Sequence, residues 1–138
     1  MERNLEMSEE EIRMINKARE FATKAHEGQV RKGTNRPYIV HPIEVGDIVS
    51  SMTQDAEVIS AALLHDTIED CEHVSRMLLA EEFSERVANM VAQESEDKSK
   101  TWMERKRATI EHIRNAPHEV KLICLADKLS NIRDIDRD

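Results

Sequence analysis

Apolar residues recur along this chain every three or four positions, which is the spacing of one face of an α-helix. The first such segment begins at the capping box of Ser8 and Glu11 and ends at Gly28. The pattern predicts six further helices, which start at or span Pro42, Asp55, 74–81, 84–93, 101–115 and Pro117. Residues 29–40 and 94–100 lack this period, so we expect them to form loops.

The last predicted helix carries apolar residues on more than one face. After Pro117 these residues are Val120, Leu122, Ile123, Leu125, Ala126 and Leu129. Their density predicts a helix that is largely buried. We expect Cys124, in the same run, to belong to the core, and His112 and His118 to lie at the surface.

The composition favours an all-α fold in one domain. At 138 residues, with 39% apolar and 35% charged content, the chain can bury a core. It has only 3 Gly and 3 Pro, too few for the many turns of an all-β domain, and its core-forming residues are mostly aliphatic. We predict a single domain over residues 1–138. No Gly cap or Pro follows the last apolar positions. Either the last helix frays or a C-terminal segment is absent from this sequence, and we expect the second.

Charge, hydropathy and cysteine content limit the classes of partner and the cellular compartment that the chain fits. The net charge of −8 disfavours nucleic acid, because a phosphate backbone requires a basic face. A small anionic ligand remains compatible, since it responds to local charge. No apolar run is long enough for a membrane span, and no signal peptide is evident. Cys71 and Cys124 lie in unrelated contexts, so we expect no disulfide framework and a cytoplasmic protein.

Polar residues follow the most apolar helical run of the chain. The helix predicted to start at Asp55 carries residues 61–64 and, directly after them, the pair His65 and Asp66. Glu69 and Asp70 follow within about one turn. Buried charges are costly unless they are paired or bind a metal, so this placement indicates a functional site. Adjacent helical residues point about 100° apart, so His65 and Asp66 can bind one ion only near a helix end or bend.

Two other predicted helices carry residues of the same kinds, His41 and Asp127. Together with His65 and Asp66 they form a set of two imidazoles and two carboxylates. Such a set suits Mn²⁺, Fe²⁺ or Zn²⁺ better than Ca²⁺, which prefers oxygen. Two carboxylates would neutralise a divalent ion and leave positions for water and a phosphate oxygen. We therefore predict a metal site between these helices.

These residues belong to an ordered series of motifs that covers roughly residues 11–135. In chain order the motifs are Ala25-His26-Glu27-Gly28-Gln29, Arg31-Lys32-Gly33, Pro37-Tyr38-Ile39-Val40-His41-Pro42, Ala62-Leu63-Leu64-His65-Asp66-Thr67-Ile68-Glu69-Asp70, Glu104-Arg105-Lys106 and Leu125-Ala126-Asp127-Lys128-Leu129-Ser130-Asn131. In this order and spacing, the chain resembles the HD superfamily of metal-dependent phosphohydrolases. More narrowly, it resembles the hydrolase domain of the RelA/SpoT family and the small alarmone hydrolases of the metazoan SpoT homologue type.

The resemblance implies an HD-domain helical bundle with a metal, usually Mn²⁺, at the four ligands already named. It also implies roles for residues that spacing alone does not assign. Glu69 and Asp70 match the acidic pair required for hydrolysis. Arg31 and Lys32 match contacts to the guanine base and phosphates, and Asn131 matches a contact to the ribose.

The function implied is Mn²⁺-dependent hydrolysis of guanosine 3′,5′-bis(diphosphate), ppGpp, or of pppGpp, to GDP or GTP plus pyrophosphate. Two alternatives stay open: a phosphatase of another nucleotide, such as NADPH, or a non-catalytic metal-binding regulatory module. An intact Glu69–Asp70 pair argues against the second. One departure concerns residues 93–100, which differ from the Gly-Val-Thr-Lys segment of the fused enzymes. The phosphate contacts of this segment therefore stay open, with Lys98, Lys100 and Arg105 as candidates.

Overall fold

A computed structural model describes residues 7–31, 35–94 and 100–137, with side chains as far as Arg133. Eight helices lie within these ranges: α1 Glu9–Ala25, α2 Val40–Ser50, α3 Ala56–Leu64, α4 Thr67–Asp70, α5 Arg76–Glu82, α6 Glu85–Gln93, α7 Trp102–Asn115 and α8 His118–Arg137. An isolated bridge between Val30 and Pro37 is the only β-type pairing in the described part of the chain. The prediction of an all-α fold is confirmed.

Two capping boxes fix the starts of α1 and α7, as predicted. Ser8 Oγ accepts from the Glu11 amide over 3.1 Å, and Glu11 Oε1 accepts from the Ser8 amide over 2.8 Å. Thr101 and Glu104 repeat the exchange at 3.1 Å and 2.9 Å. Each box satisfies amide groups that would otherwise lack a partner in the first helical turn.

The segment between α1 and α2 folds back on itself. After α1 ends, Gly28 adopts a φ of 86°, a left-handed conformation that favours glycine. The Tyr38 amide donates to the carbonyl oxygen of Gln29 over 2.8 Å, and the Arg31 amide donates to that of Arg36 over 2.9 Å. These bonds bring Arg31 and Tyr38 next to the start of α2.

Helix α3 forms the centre of the core and contacts α1, α2, α6 and α8. Every residue of α3 except Glu57 is buried. Helix α2 approaches it closely at Gly46, where an added Cβ would lie 2.6 Å from Leu63 Cδ2. Helix α8 packs against both α2 and α3. Hydrogen bonds between Asp127 and the histidines His41 and His65 join the middle of α8 to the start of α2 and the end of α3.

Helix α8 is buried along one face only, so the prediction of a largely buried last helix is wrong. Val120, Ile123 and Ala126 are fully buried, whereas Leu125 and Leu129 are 50% and 37% exposed. Helical residues three or four apart share a face, so an apolar sequence does not itself bury every side chain. Among the helices described here, none has both the length and the apolar character that crossing a membrane requires.

Candidate functional site

Three helices bring two imidazoles and a carboxylate to one point. His41 lies in the first turn of α2, His65 follows the last residue of α3, and Asp127 lies in the middle of α8. The distance to Asp127 Oδ1 is 2.8 Å from His41 Nε2 and 3.3 Å from His65 Nε2. One potential ligand atom from each residue lies within 4.8 Å of the other two, and both imidazoles are buried. We call His41, His65 and Asp127 the central cluster.

The chain turns between α3 and α4 without backbone strain, and this turn adds Asp66 to the cluster. Helix α3 ends at Leu64, so the His65–Asp66 pair lies just beyond the helix that was expected to carry it. Both residues of the pair keep right-handed backbone angles, with φ of −59° and −99°. Asp66 Oδ2 lies 3.2 Å from His65 Nε2 and 3.9 Å from His41 Nε2. The structure thus brings the four predicted metal ligands together.

The tautomer of His65 follows from its second ring nitrogen. Nδ1 lies 2.7 Å from the carbonyl oxygen of Ala62, which can only accept, so Nδ1 carries a hydrogen and donates it. Nε2 then faces the carboxylates of Asp66 and Asp127, which are also acceptors. If Nε2 carried only a lone pair, it would face these oxygens without a hydrogen to donate. The position between Nε2 and the carboxylates therefore requires a proton or a metal ion.

His41 is oriented from its other side by a relay of hydrogen bonds. Ser130 Oγ donates its single hydrogen to Glu44 Oε1 over 2.8 Å, so it accepts from His41 Nδ1, 2.9 Å away. Arg133 Nη1 in turn donates to Glu44 Oε2 over 3.4 Å. His41 Nε2 is therefore the nitrogen turned towards Asp127. Histidines that bind metals usually have their second nitrogen held in this way.

The pKa values of these groups reflect the same requirement for positive charge. Burial disfavours the charged form of His65, but the carboxylates of Asp66 and Asp127 outweigh it and hold its pKa well above 6.5. Burial alone would raise the pKa of Asp66, yet His65 and the Tyr38 hydroxyl lower it to about 2. The pKa of Asp127 is also held well below its usual value, against burial, by hydrogen bonds with His41 and His65. The central cluster could therefore hold a divalent metal ion.

Tyr38 links the cluster to the predicted acidic pair. Its hydroxyl donates to Asp66 Oδ2 over 2.5 Å and lies 3.4 Å from Asp70 Oδ2. Burial and these two carboxylates raise the pKa of Tyr38 well above its usual value, so the phenol remains a donor. Glu69 is half-buried in α4, one residue before Asp70. Both predicted acids thus lie on the short helix that follows Asp66.

Two predicted substrate contacts, 100 residues apart in the sequence, touch each other. Arg31 Nη2 donates to Asn131 Oδ1 over 3.0 Å. The guanidinium carbon of Arg31 also lies 5.8 Å from the centre of the Tyr38 ring. Asn131 follows Asp127 by one turn of α8 and so shares its face. Lys32, the remaining predicted contact, lies outside the described residues.

A cavity of about 390 Å³ adjoins Asp127 and is lined by residues of α6, α7 and α8. Three of its lining residues are cations: Lys100, Arg105 and Lys128. His112, expected at the surface, is instead half-buried and lines this cavity. Cationic groups next to a carboxylate that could bind a metal suit a substrate that carries phosphate.

Glu94 is a carboxylate of this cavity that the sequence placed only in a charged loop. It follows the last residue of α6 and accepts a hydrogen bond from Cys124 Sγ at 3.3 Å. Burial raises the pKa of Glu94 to about 7. Cys124 itself is half-buried and lines the cavity, so its assignment to the core is only partly correct.

Tyr38, Glu44 and Ser130 lie at the site although no role is predicted for them from the sequence. The available signal was spacing: Tyr38 and Glu44 lie three residues before and after His41, and Ser130 lies three residues after Asp127. Residues three apart in a helix share a face, which applies to Glu44 in α2 and Ser130 in α8. Tyr38 precedes α2 and is joined to His41 through the turn, where its carbonyl accepts from the His41 amide. The partners of these residues, which come from other helices, cannot be identified from spacing.

Comparison with known proteins decides the family. The profile of the HD domain family matches residues 18–138. This chain belongs to the HD domain family. The predicted relationship is therefore confirmed, and the helical bundle around the central cluster is an HD domain.

Relatives of this HD domain carry informative names. The Danio rerio guanosine-3′,5′-bis(diphosphate) 3′-pyrophosphohydrolase MESH1 is 43% identical over 120 residues, which are 85% of the chain and 66% of that protein. The Xenopus tropicalis protein of the same name is 40% identical over 127 residues, 90% of the chain and 70% of that protein. The chain thus spans about two thirds of the length of these relatives.

A solved structure supports the same grouping. It is described as a metazoan orthologue of SpoT that hydrolyses ppGpp and plays a role in starvation responses. It superposes with a TM-score of 0.83 at 36% identity, over 89% of this chain and 70% of that one. This HD domain is therefore of the SpoT type in both sequence and fold.

Proposed function

We propose that this protein hydrolyses ppGpp and pppGpp at the 3′ position, releasing pyrophosphate and leaving GDP or GTP. The observation that carries the proposal is the convergence of His41 Nε2 and His65 Nε2 on Asp127 Oδ1, with both Nδ1 atoms already engaged. The cluster by itself would serve many phosphate esters. The names of the relatives supply the substrate.

The proposed metal is Mn²⁺, held by His41, His65, Asp66 and Asp127. Nitrogen and oxygen donors in equal number also suit Fe²⁺ and Zn²⁺, so the choice among them follows the family. A bound divalent ion would supply Lewis-acid chemistry, polarising a phosphate oxygen and making water more acidic. The chain contributes two imidazole lone pairs in fixed tautomers and two carboxylates that balance the charge of the ion.

Glu69 and Asp70 are proposed to orient the attacking water and accept its proton. Both carboxylates are half-buried beside Asp66, where proton transfer is partly shielded from solvent. Water adds to the phosphorus next to the ribose, and the bond from that phosphorus to the 3′ oxygen breaks. Pyrophosphate keeps the water oxygen and the 3′ oxygen regains a proton, so the reaction needs no further reactant. A positioned acid or base typically contributes about 10²- to 10⁴-fold.

The nucleoside end of the substrate is proposed to lie at Arg31 and Asn131. The planar guanidinium of Arg31 can stack on a base and donate to phosphate. Lys32 is retained as a proposed contact to the base or phosphates. The cavity beside Asp127, with its lysine and arginine side chains, offers the place for further phosphate groups.

We also propose a cytoplasmic location and a small nucleotide as the partner. Cys71 and Cys124 are both free thiols, which fits a reducing compartment. The net charge of −8 fits a small ligand held by local cations better than it fits nucleic acid.

The test is product analysis by ion-exchange chromatography. Protein stripped of metal is incubated with MnCl₂ and, in separate reactions, ppGpp, pppGpp, NADPH and simple nucleotides. We expect GDP or GTP plus pyrophosphate from the first two. Asp127→Asn serves as the control for contaminating hydrolases. Phosphate release from NADPH alone would support a phosphatase of another nucleotide, and no turnover of any substrate would support a binding module.

A further inference from the structure

One side chain lies where the metal ligands, the acidic pair and the substrate contacts meet. The Tyr38 hydroxyl is within 2.5 Å of Asp66 Oδ2 and 3.4 Å of Asp70 Oδ2. Its ring lies 5.8 Å from the guanidinium carbon of Arg31. Tyr38 therefore contacts one residue from each of the three functional groups that the sequence predicts.

The backbone and the ring of Tyr38 are both held in place. Its amide donates to the carbonyl oxygen of Gln29 over 2.8 Å, and its own carbonyl accepts from the His41 amide over 3.0 Å. The ring centre lies 4.8 Å from that of His26, which is itself buried. His26 Nδ1 is in turn 2.9 Å from Gln29 Oε1. A phenol fixed in this way can hold other groups in position.

Neither carboxylate would be fixed equally well without this hydroxyl. Asp66 lies in the turn between α3 and α4, and Asp70 is the last residue of the four-residue helix α4. A helix this short gains little stability from its own hydrogen bonds. The hydroxyl of Tyr38 comes from a different part of the chain. It gives its hydrogen mainly to Asp66 Oδ2 at 2.5 Å, and Asp70 Oδ2 lies at the longer distance of 3.4 Å.

We propose that Tyr38 is a positioning residue that couples the two ends of the active site. Its hydroxyl sets the orientation of Asp66 and Asp70, and its ring supports Arg31 at the nucleoside end. The inference rests on the proposed function for its kinetic consequences. Its consequence for metal binding rests only on Asp66 being a ligand.

Two substitutions separate the hydroxyl from the ring. Tyr38→Phe removes only the hydroxyl, so we expect the dissociation constant for Mn²⁺ to rise about 10- to 100-fold, as for other groups that orient metal ligands. At saturating Mn²⁺, kcat for ppGpp should remain reduced because Asp70 loses its contact with the hydroxyl, while KM changes less than about twofold. Tyr38→Leu also removes the aromatic face, so KM should rise a further 2- to 5-fold or so.

The experiment measures MnCl₂ binding to metal-stripped protein by isothermal titration calorimetry, alongside the kinetics. Thr23→Val, which removes an exposed hydroxyl from α1, is the matched control and should behave as wild type. Thermal denaturation of the metal-free variants shows whether they fold. Weaker Mn²⁺ binding by folded Tyr38→Phe supports the inference even if ppGpp is not the substrate. Wild-type Mn²⁺ affinity in Tyr38→Phe, or no Mn²⁺ binding by the wild type, overturns it.

Discussion

Arg31 Nη2 donates a hydrogen bond to Asn131 Oδ1 over 3.0 Å, which joins the segment before α2 to the last helix. Asn131 lies on the same face of α8 as Asp127, one turn further along. The contact therefore holds Arg31 towards the side of α8 that carries Asp127, a proposed metal ligand. A nucleotide bound at Arg31 would have its phosphates directed to the central cluster.

Arg31→Ala should raise KM for ppGpp much more than it lowers kcat. Loss of a stacking contact with a base costs roughly 1–3 kcal/mol, which is about 5- to 150-fold in binding. Hydrolysis of p-nitrophenyl phosphate, which has no base, should change little where it is detectable. Steady-state kinetics on both substrates test this, with the exposed Arg13→Ala as the control. Equal losses of activity on the two substrates would instead show that Arg31 supports the central cluster or the fold.

Metal content should depend on the central cluster. Elemental analysis of the purified protein should find about one divalent ion per chain. His65→Ala or Asp127→Ala should abolish metal binding. Each substitution removes one metal donor and leaves the buried groups that faced it without their partner. His118→Ala, at the exposed start of α8, should leave metal content unchanged. Full turnover in the presence of a chelator, with no metal detected, would contradict the prediction.

Metal binding near neutral pH should release about one proton. The pKa of His65 is held well above 6.5 despite its burial, because of Asp66 and Asp127, so its Nε2 is protonated in the metal-free protein. A metal ion must displace that proton to reach the lone pair. Calorimetry in buffers of different ionisation enthalpy gives the number of protons released. Affinity should rise with pH until it passes the pKa of His65, and no release at pH 7 would argue against this assignment.

The acidic pair should serve catalysis rather than metal binding. Glu69→Gln and Asp70→Asn should keep the fold and most of the metal affinity, since neither belongs to the four proposed ligands. Activity should fall by about 10²-fold or more, the usual contribution of a positioned acid or base. Glu72→Gln, an exposed acid just beyond α4, is the matched control. Wild-type rates in both variants would eliminate the proposed role of the pair.

Glu94→Gln should stabilise the metal-free protein at alkaline pH and change little at acid pH. Burial raises the folded-state pKa of Glu94 from 4.5 to about 7, so the folded protein binds more protons than the unfolded chain in this window. Stability contributed by the protonated group is present below pH 4.5 and is lost as pH rises towards 7. Because Gln cannot ionise, the substitution should raise the free energy of unfolding at pH 8 by roughly 1–3 kcal/mol, after allowance for the partial exposure of the side chain.

Thermal denaturation in chelator at pH 5 and pH 8 measures this difference. A gain of several degrees is expected at pH 8. Gln keeps an oxygen that accepts from Cys124, so the contact with α8 survives the substitution. Glu111→Gln, an exposed change on α7, should show no such dependence. An equal effect of Glu94→Gln at both pH values would show that its charge state does not matter.

Local signals in the sequence predicted most helices and their starts. The capping boxes at Ser8 and Thr101 are present as predicted, because a cap is made by residues only three positions apart. The end of α3 was predicted too late. It falls at Leu64, and the next residue, His65, faces Asp127 of α8, a contact that helix propensity does not describe.

Contacts between distant segments account for what the sequence did not reveal. The candidate metal ligands were predicted from residue types and motifs, but the relay from Glu44 through Ser130 to His41 joins α2 to α8 and has no local signal. The raised pKa of Glu94 likewise depends on burial by elements that are remote in the sequence. The period of the apolar positions predicts which residues share a helical face. Which faces are buried depends on tertiary packing, as the half-exposed Leu125 shows.

His41 and Asp127 are 86 residues apart, and this separation sets the order in which the site can assemble. During synthesis, a chain that has emerged as far as α7 already contains both imidazoles and Asp66. It lacks the carboxylate that both imidazoles face and the serine that orients the first of them. The cluster therefore closes only when α8 leaves the ribosome and packs on α2 and α3. A chain interrupted before that point would hold two imidazoles without the carboxylate on which they converge.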